Sequence, residues 1–157
     1  KTGEIHGKVE FISLRESHIR AFSGELHVLP NSQLFKNPVE VITDKPKRRF
    51  EVVIGVSYDT DLDEADKAIR EAVEGVDLID KDERVDVLAD TFNSSSVDFI
   101  VRWWAPSSGK EAVLNRDQVV RAIKRGLDEA GIEIPFPYVT HTFKEQVPVG
   151  EKVGETA

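Results

Sequence analysis

Phe50-Glu51-Val52-Val53-Ile54-Gly55-Val56-Ser57-Tyr58-Asp59-Thr60-Asp61-Leu62, with its continuation to Val73, is the stretch that decides the fold. Phe50, Val52, Ile54, Val56 and Tyr58 stand on alternate positions, so one face of a strand carries them all. Asp59-Thr60-Asp61 ends the run with small polar residues that favour a turn. A helix is expected to follow. Asp61 can accept from the free amides of its first turn, and Glu64 stands where a capping box requires it. Leu62, Ala65, Ile69, Ala72 and Val73 recur at helical spacing as one apolar stripe. A strand that passes through a short turn into a helix opens a split βαβ unit.

The residues downstream complete that unit. Gly75 to Arg84 is a mostly polar connection. Val85, Val87 and Ala89 alternate with Asp86, Leu88 and Asp90 in a strand ending near Phe92, and Asn93-Ser94-Ser95-Ser96 is a turn. Val97, Phe99, Val101 and Trp103 alternate with Asp98, Ile100, Arg102 and Trp104, so this second hairpin strand has apolar groups on both faces. Ile100 and Trp104 therefore need covering, by the chain or by a partner. Lys110 to Ala130 is predicted as a helix with Val113, Val120, Ile123, Leu127 and Ala130 on its stripe, stopped by Gly131. Ile132 to Pro137 reads as an edge strand, since two prolines cannot sit in a central one. The order from Phe50 to Pro137 is β-α-β-β-α-β, the ferredoxin-like arrangement.

Upstream, residues 1–44 read as a separate all-β module. Ile5 to Arg15 is a strand with Gly7 near its start. Its alternation shifts between Phe11 and Ile12, which suggests a bulge. Ile19 to Phe22 and Leu26 to Leu29 flank a Ser23-Gly24-Glu25 hairpin turn. Pro30-Asn31-Ser32 breaks the ladder, Leu34-Phe35 sits in a short turn or single helical turn, and Val39 to Thr43 is a last strand. Short strands at this spacing indicate a small barrel of the SH3/Sm-like kind, or a sandwich. Residues 45–49, with Lys45, Lys47, Arg48 and Arg49 around Pro46, read as the linker between the modules. The other reading of these cations is a basic recognition patch. Tyr138 to Phe143 is one more short extended piece, and Gln146 to Ala157 is expected to be disordered. The predicted class is thus α+β: a small N-terminal barrel, incomplete if a first strand is missing, then a ferredoxin-like domain.

Composition excludes several functions. The formal net charge of -8 disfavours a sequence-independent grip on nucleic acid or an anionic membrane. The chain has no cysteine, so thiolate metal sites, disulfides and cysteine nucleophiles are out. It has no methionine either, which suggests a processed chain or an excised fragment, and no apolar run approaches the roughly 20 residues of a membrane helix. Asp59-Thr60-Asp61-Leu62-Asp63 begins like an EF-hand loop, but Glu64 replaces the required glycine and Arg70 the closing glutamate. The acids are better read as turn and helix-start residues. His6, His18, His27 and His141 share no metal spacing. Ser94-Ser95-Ser96 has no histidine to activate it, and Asn93-Ser94-Ser95 fits a glycosylation acceptor too common to weigh. Phosphate loops, dinucleotide fingerprints and nucleophile elbows are missing. No catalytic, cofactor or metal residue is assigned, and the chain is read as non-enzymatic.

Four segments resemble one family. Gly7-Lys8-Val9-Glu10-Phe11-Ile12-Ser13-Leu14-Arg15 resembles the opening of the cytoplasmic β domain of small-conductance mechanosensitive (MscS) channels. Val28-Leu29-Pro30-Asn31-Ser32-Gln33-Leu34-Phe35-Lys36-Asn37-Pro38 is similar to that family's proline-asparagine signature. Gly55-Val56-Ser57-Tyr58-Asp59-Thr60-Asp61 and Gly131-Ile132-Glu133-Ile134-Pro135-Phe136-Pro137 match its two later signatures, in the family's order. The resemblance implies pore helices in the membrane, then a β domain and an α/β domain. Seven chains would form a ring around a cytoplasmic vestibule with side portals, opening under tension in osmotic downshock. It also implies that Tyr138 to Phe143 gives a strand to a small barrel between subunits. The family's β domain has a strand before the Gly7 segment; here only Lys1 to His6 precede it. The competing reading is a regulatory ferredoxin-like module that binds a small ligand; an RNA-binding ring is a third, weakened by the charge.

Overall fold

The computed structural model describes residues 1–137, in the element order β1 (Gly7–Ile12), β2 (Glu16–Ala21), β3 (Leu26–Pro30), α1 (Asn31–Lys36), β4 (Lys47–Val56), α2 (Leu62–Glu74), β5 (Asp86–Phe92), β6 (Val97–Pro106) and α3 (Gly109–Glu129). The expectations for Tyr138 to Phe143 and Gln146 to Ala157 lie outside the described residues.

The C-terminal sheet has the strand order β4-β6-β5. β4 and β5 both pair antiparallel with β6, so they run parallel to each other and α2 makes the crossover between them. This is the split βαβ order read from the sequence. Asp61 caps α2, its carboxylate accepting from the amides of Asp63 at 2.9 Å and Glu64 at 3.2 Å. Ala65, Ile69 and Val73 are its buried stripe. Together with Phe50, Val56, Val97, Phe99, Val101 and Trp103 they form the hydrophobic core, all of which lies between Phe50 and Ile132. α3 ends in a Schellman turn: the amide of Gly131 bonds the carbonyl of Asp128, and that of Ile132 bonds Leu127. Gly131 takes φ +69°, the left-handed value that glycine adopts freely.

The N-terminal sheet has the order β1-β2-β3, all antiparallel. A register shift between Val9 and Phe11 puts the expected bulge one to two residues earlier. Gly24, at φ +109°, closes the β2–β3 hairpin. Three strands do not close into a barrel.

Five expectations need correction. Val39 to Thr43 is not a strand; Glu40 and Lys1 exchange a pair of hydrogen bonds, Val41 accepts from the Asp44 amide, and no strand among the described residues forms a ladder with the segment. Residues 47–49 are not linker. They begin β4, where Lys47, Arg48 and Arg49 pair with Pro106, Ala105 and Trp104. Charged side chains at a strand end point to solvent or lie along apolar surface, so the backbone pairing proceeds. Ile132 to Pro137 forms no ladder. Glu133 accepts from the amide of Ser57, the residue just past β4, at 3.0 Å, and Pro135 and Pro137 have no amide to donate. The first strand is shorter than expected, because Ser13 and Glu16 bond across a turn that ends it. On α3 the buried stripe is Ala112, Asn115, Val119, Ala122, Ile123 and Leu127, whereas Val113 and Val120 are exposed.

Candidate assembly surface

The distribution of buried and exposed apolar groups differs sharply between the two modules. In the first 44 residues only Ile19 and Leu29 are buried large apolar side chains. Val9, Phe11, Ile12, Leu14, Phe22, Leu26, Val28, Phe35, Val39 and Val41 are all exposed. A three-stranded sheet needs an apolar face packed on something to be stable. Here α1 contributes no buried residue.

One face of this sheet is defined by the register. Phe11 stands opposite His18 and His18 opposite Val28; Lys8, Arg20 and Leu26 form the next row. Phe11 and Val28 are about half exposed, at 52% and 49%. His18 is half-buried, its ring 5.1 Å from that of Phe11 and its Nε2 3.0 Å from Glu16. Arg20 grips the Glu10 carboxylate through Nε and Nη2, which holds that carboxyl below its ordinary pKa. The result is an apolar strip bordered by an ion pair. Contiguous patches of this kind mark interaction surfaces.

The C-terminal sheet shows the same property on the face away from its helices. Val53, Ile100 and Leu88 stand in one cross-strand row. Val53 and Leu88 are exposed, while Ile100 and Trp104 are half-buried. So the described residues cover Ile100 and Trp104 only in part. The neighbouring row is charged, with Arg102 bonded to Glu51 at 2.7 Å.

The core face is sealed by a polar contact that sequence reading missed. The Trp103 indole N–H donates to Asn115 Oδ1 at 2.6 Å, both groups fully buried. Phe50 stacks on Trp103 at 5.9 Å between centroids, and the Arg48 guanidinium lies 4.5 Å from the Phe50 centroid. Trp104 stays on the open face, its carbonyl accepting from the Asp80 amide at 2.8 Å. Lys47 forms an ion pair with Asp80, which raises the lysine pKa and lowers that of the carboxylate.

The residues considered for chemistry are dispersed. Asp61 is a helix cap, Asp59 is exposed, His6 packs edge-on against Phe22, and His27 lies opposite Ile19. Ser96 bonds Asp98 at 2.7 Å within its turn, and His141 lies outside the described residues. Among the described residues no three acids or histidines gather as a metal site. A cavity of about 460 Å³ opens between α2 and α3, lined by Glu71, Asp77, Gln118, Arg121, Arg125 and Glu129 together with small apolar residues. It is a charged surface groove with no converging reactive groups. No helix among the described residues is long and apolar enough to cross a membrane.

A small sheet with little buried apolar surface, followed by a helix-backed sheet with a half-apolar open face, defines a two-module α+β class of protein. The comparisons with known proteins make it specific. A model described as "Mechanosensitive ion channel, beta-domain" matches residues 1–40, and one described as "Mechanosensitive ion channel MscS, C-terminal" matches residues 50–134. The chain belongs to the MscS mechanosensitive channel family. It is 32% identical over 143 residues to the small-conductance mechanosensitive channel of Helicobacter pylori (strain UM084), covering 90% of this chain and 52% of that one. An uncharacterized MscS family protein of Archaeoglobus fulgidus is 32% identical over 133 residues, covering 85% and 46%. The crystal structure of Helicobacter pylori MscS in its closed state superposes with a TM-score of 0.81 at 33% identity, covering 89% of this chain and 55% of that one. Arabidopsis thaliana MSL1 shares the fold, with a TM-score of 0.72 at 16% identity. The chain spans about half the length of the curated relatives it matches.

Proposed function

We propose that this chain is the cytoplasmic vestibule part of a tension-gated channel, assembling with copies of itself as a ring beneath pore helices in the membrane. The single observation that carries the reading is the N-terminal sheet with Ile19 and Leu29 buried and the rest of its large apolar side chains exposed. Such a surface is stable when neighbours cover it, and the order of the two matched family models supports channel subunits as those neighbours. Seven subunits and a strand from Tyr138 to Phe143 in an inter-subunit barrel belong to the same proposal. So does a non-enzymatic role: the vestibule wall selects solutes by size and charge before they reach the pore.

Patch recording of the parent protein in liposomes tests the function. Currents that switch on with suction, and survive removal of every other protein, are expected. Absence of any tension-dependent current from correctly assembled protein contradicts the proposal. The proposal extends to the cations of residues 45–49 as lining of the portals in that wall. Lys47 and Arg48 are engaged with Asp80 and Phe50, while Lys45 lies 3.8 Å from Asp44 with both side chains largely exposed, so Lys45 and Arg49 are the cations to test for selectivity.

A further inference from the structure

The groove between α2 and α3 has walls of opposite charge. Glu71 and Asp77 stand on the α2 side, Arg121 and Arg125 on the α3 side, and a volume of about 460 Å³ lies between them. Its floor is small and apolar, formed by Ala72, Val76, Ala122 and Gly126. The helices meet closely at that floor. A methyl group built on Gly126 would come within 2.9 Å of Ala72 Cβ and 3.2 Å of the Ala68 carbonyl oxygen. The spacing of the walls is therefore set by tight packing beneath them, not by the long side chains above.

The charges do not meet across the groove. Among the described residues, Glu71, Asp77 and Arg125 make no side-chain hydrogen bond or ion pair. Arg121 bonds only within its own helix. Its Nε is 2.9 Å from both oxygens of Asp117, which leaves its two Nη groups for another acceptor. α2 ends with no basic residue in its last turn, so the partial negative charge of that helix end adds to Glu71 and Asp77. Glu129, one turn past Arg125, adds an acid to the α3 wall. A simple anion in this groove would face the acids, and a simple cation would face the guanidiniums. A molecule that carries both charges satisfies both walls at once.

We propose that the groove binds a small zwitterion of the amino-acid class. Its carboxylate lies on the guanidiniums of Arg121 and Arg125, its ammonium on Glu71 and Asp77, and its apolar body on the floor. The site belongs to one chain, so it goes beyond ring assembly and holds for any number of subunits.

Equilibrium dialysis of the detergent-extracted parent protein against radiolabelled L-valine tests it. Retention with a Kd of about 1 mM or tighter is expected. Unlabelled L-valine should displace the label. Isovalerate, which lacks the ammonium, and isobutylamine, which lacks the carboxylate, should not displace it at the same concentration. Arg125→Gln and Glu71→Gln should each weaken retention by about tenfold. Arg116→Gln, the same charge change on α3 outside the groove, should leave it unchanged. No retention, displacement by a single-charge analogue as effective as by L-valine, or equal weakening by Arg116→Gln overturns the proposal. The native mass of the same sample keeps the two ideas apart. Retention by a protein of any subunit number supports the groove, and an intact oligomer without retention sinks the groove alone.

Discussion

Asn115→Ala is the substitution whose outcome the structure fixes most tightly. Tryptophan's indole nitrogen is donor only, so the 2.6 Å contact with Trp103 assigns the Asn115 oxygen to it and turns the amide NH2 elsewhere. That NH2 has no hydrogen-bond partner among the described residues. Removing Asn115 therefore strands a fully buried indole N–H, which costs about 1–3 kcal/mol. It also removes an unpartnered buried donor, which offsets part of that loss. The net expectation is a loss of about 1–2 kcal/mol. Replacing both partners by apolar groups, Trp103→Phe with Asn115→Leu, leaves no stranded donor. The double variant should then lose less than its two single changes predict, with a coupling of about 1 kcal/mol. Urea unfolding followed by circular dichroism at fixed protein concentration measures all four proteins, since Trp fluorescence is altered by the design. Strict additivity, or an Asn115→Ala variant as stable as the parent, would refute the contact as the seal of this core.

Three further outcomes follow from other parts of the molecule. A methyl group at Gly7 would overlap the Arg20 carbonyl across the β1–β2 pair, so Gly7→Ala should cost about 1–3 kcal/mol and loosen assembly, read as a lower Tm and a smaller native mass. The Asp80 carboxyl is held below its ordinary value by Lys47, and the Lys47 ammonium is held above its own by Asp80. The carboxylate's contribution is present above the unfolded value of about 3.9 and is lost as pH falls through the lower folded value; the ammonium's is present below about 10.4 and is lost as pH rises through the higher folded value. Thermal melts of Asp80→Asn should accordingly show a lower Tm at neutral pH and a shallower acid limb than the parent. Lys45→Glu with Arg49→Glu in the parent channel should shift ion selectivity towards cations, measured as a change in reversal potential; an unchanged reversal potential removes these residues from the portals.

Much of the C-terminal layer was legible in the sequence because periodicity and caps agreed there. The alternation from Phe50 to Val56, the Asp61 cap and the Gly131 stop all stand in the structure, whereas Tyr58 falls past the end of β4 and is exposed. The phase of α3 was not legible, and Asn115 is the reason. A polar residue on the buried face interrupts the apolar count, and Val113 and Val120 supply a decoy stripe one residue out of phase. Only the knowledge that Trp103 needs an acceptor would have signalled it. The start of β4 was hidden by Lys47, Arg48 and Arg49, whose charges suggested linker although their backbone pairs with β6. Val39 to Thr43 has strand-forming residues but no neighbour to ladder with, which local sequence does not encode. The assembly surface was half visible. Apolar groups on both faces of β6 announced a need for cover, while the lack of a core in the first module emerged only once its three strands were placed.

The mass of the parent protein, extracted in mild detergent and measured by light scattering, tests the proposed ring most directly. The proposed ring predicts a single closed oligomer of seven subunits. A stable, folded monomer at every concentration would contradict it.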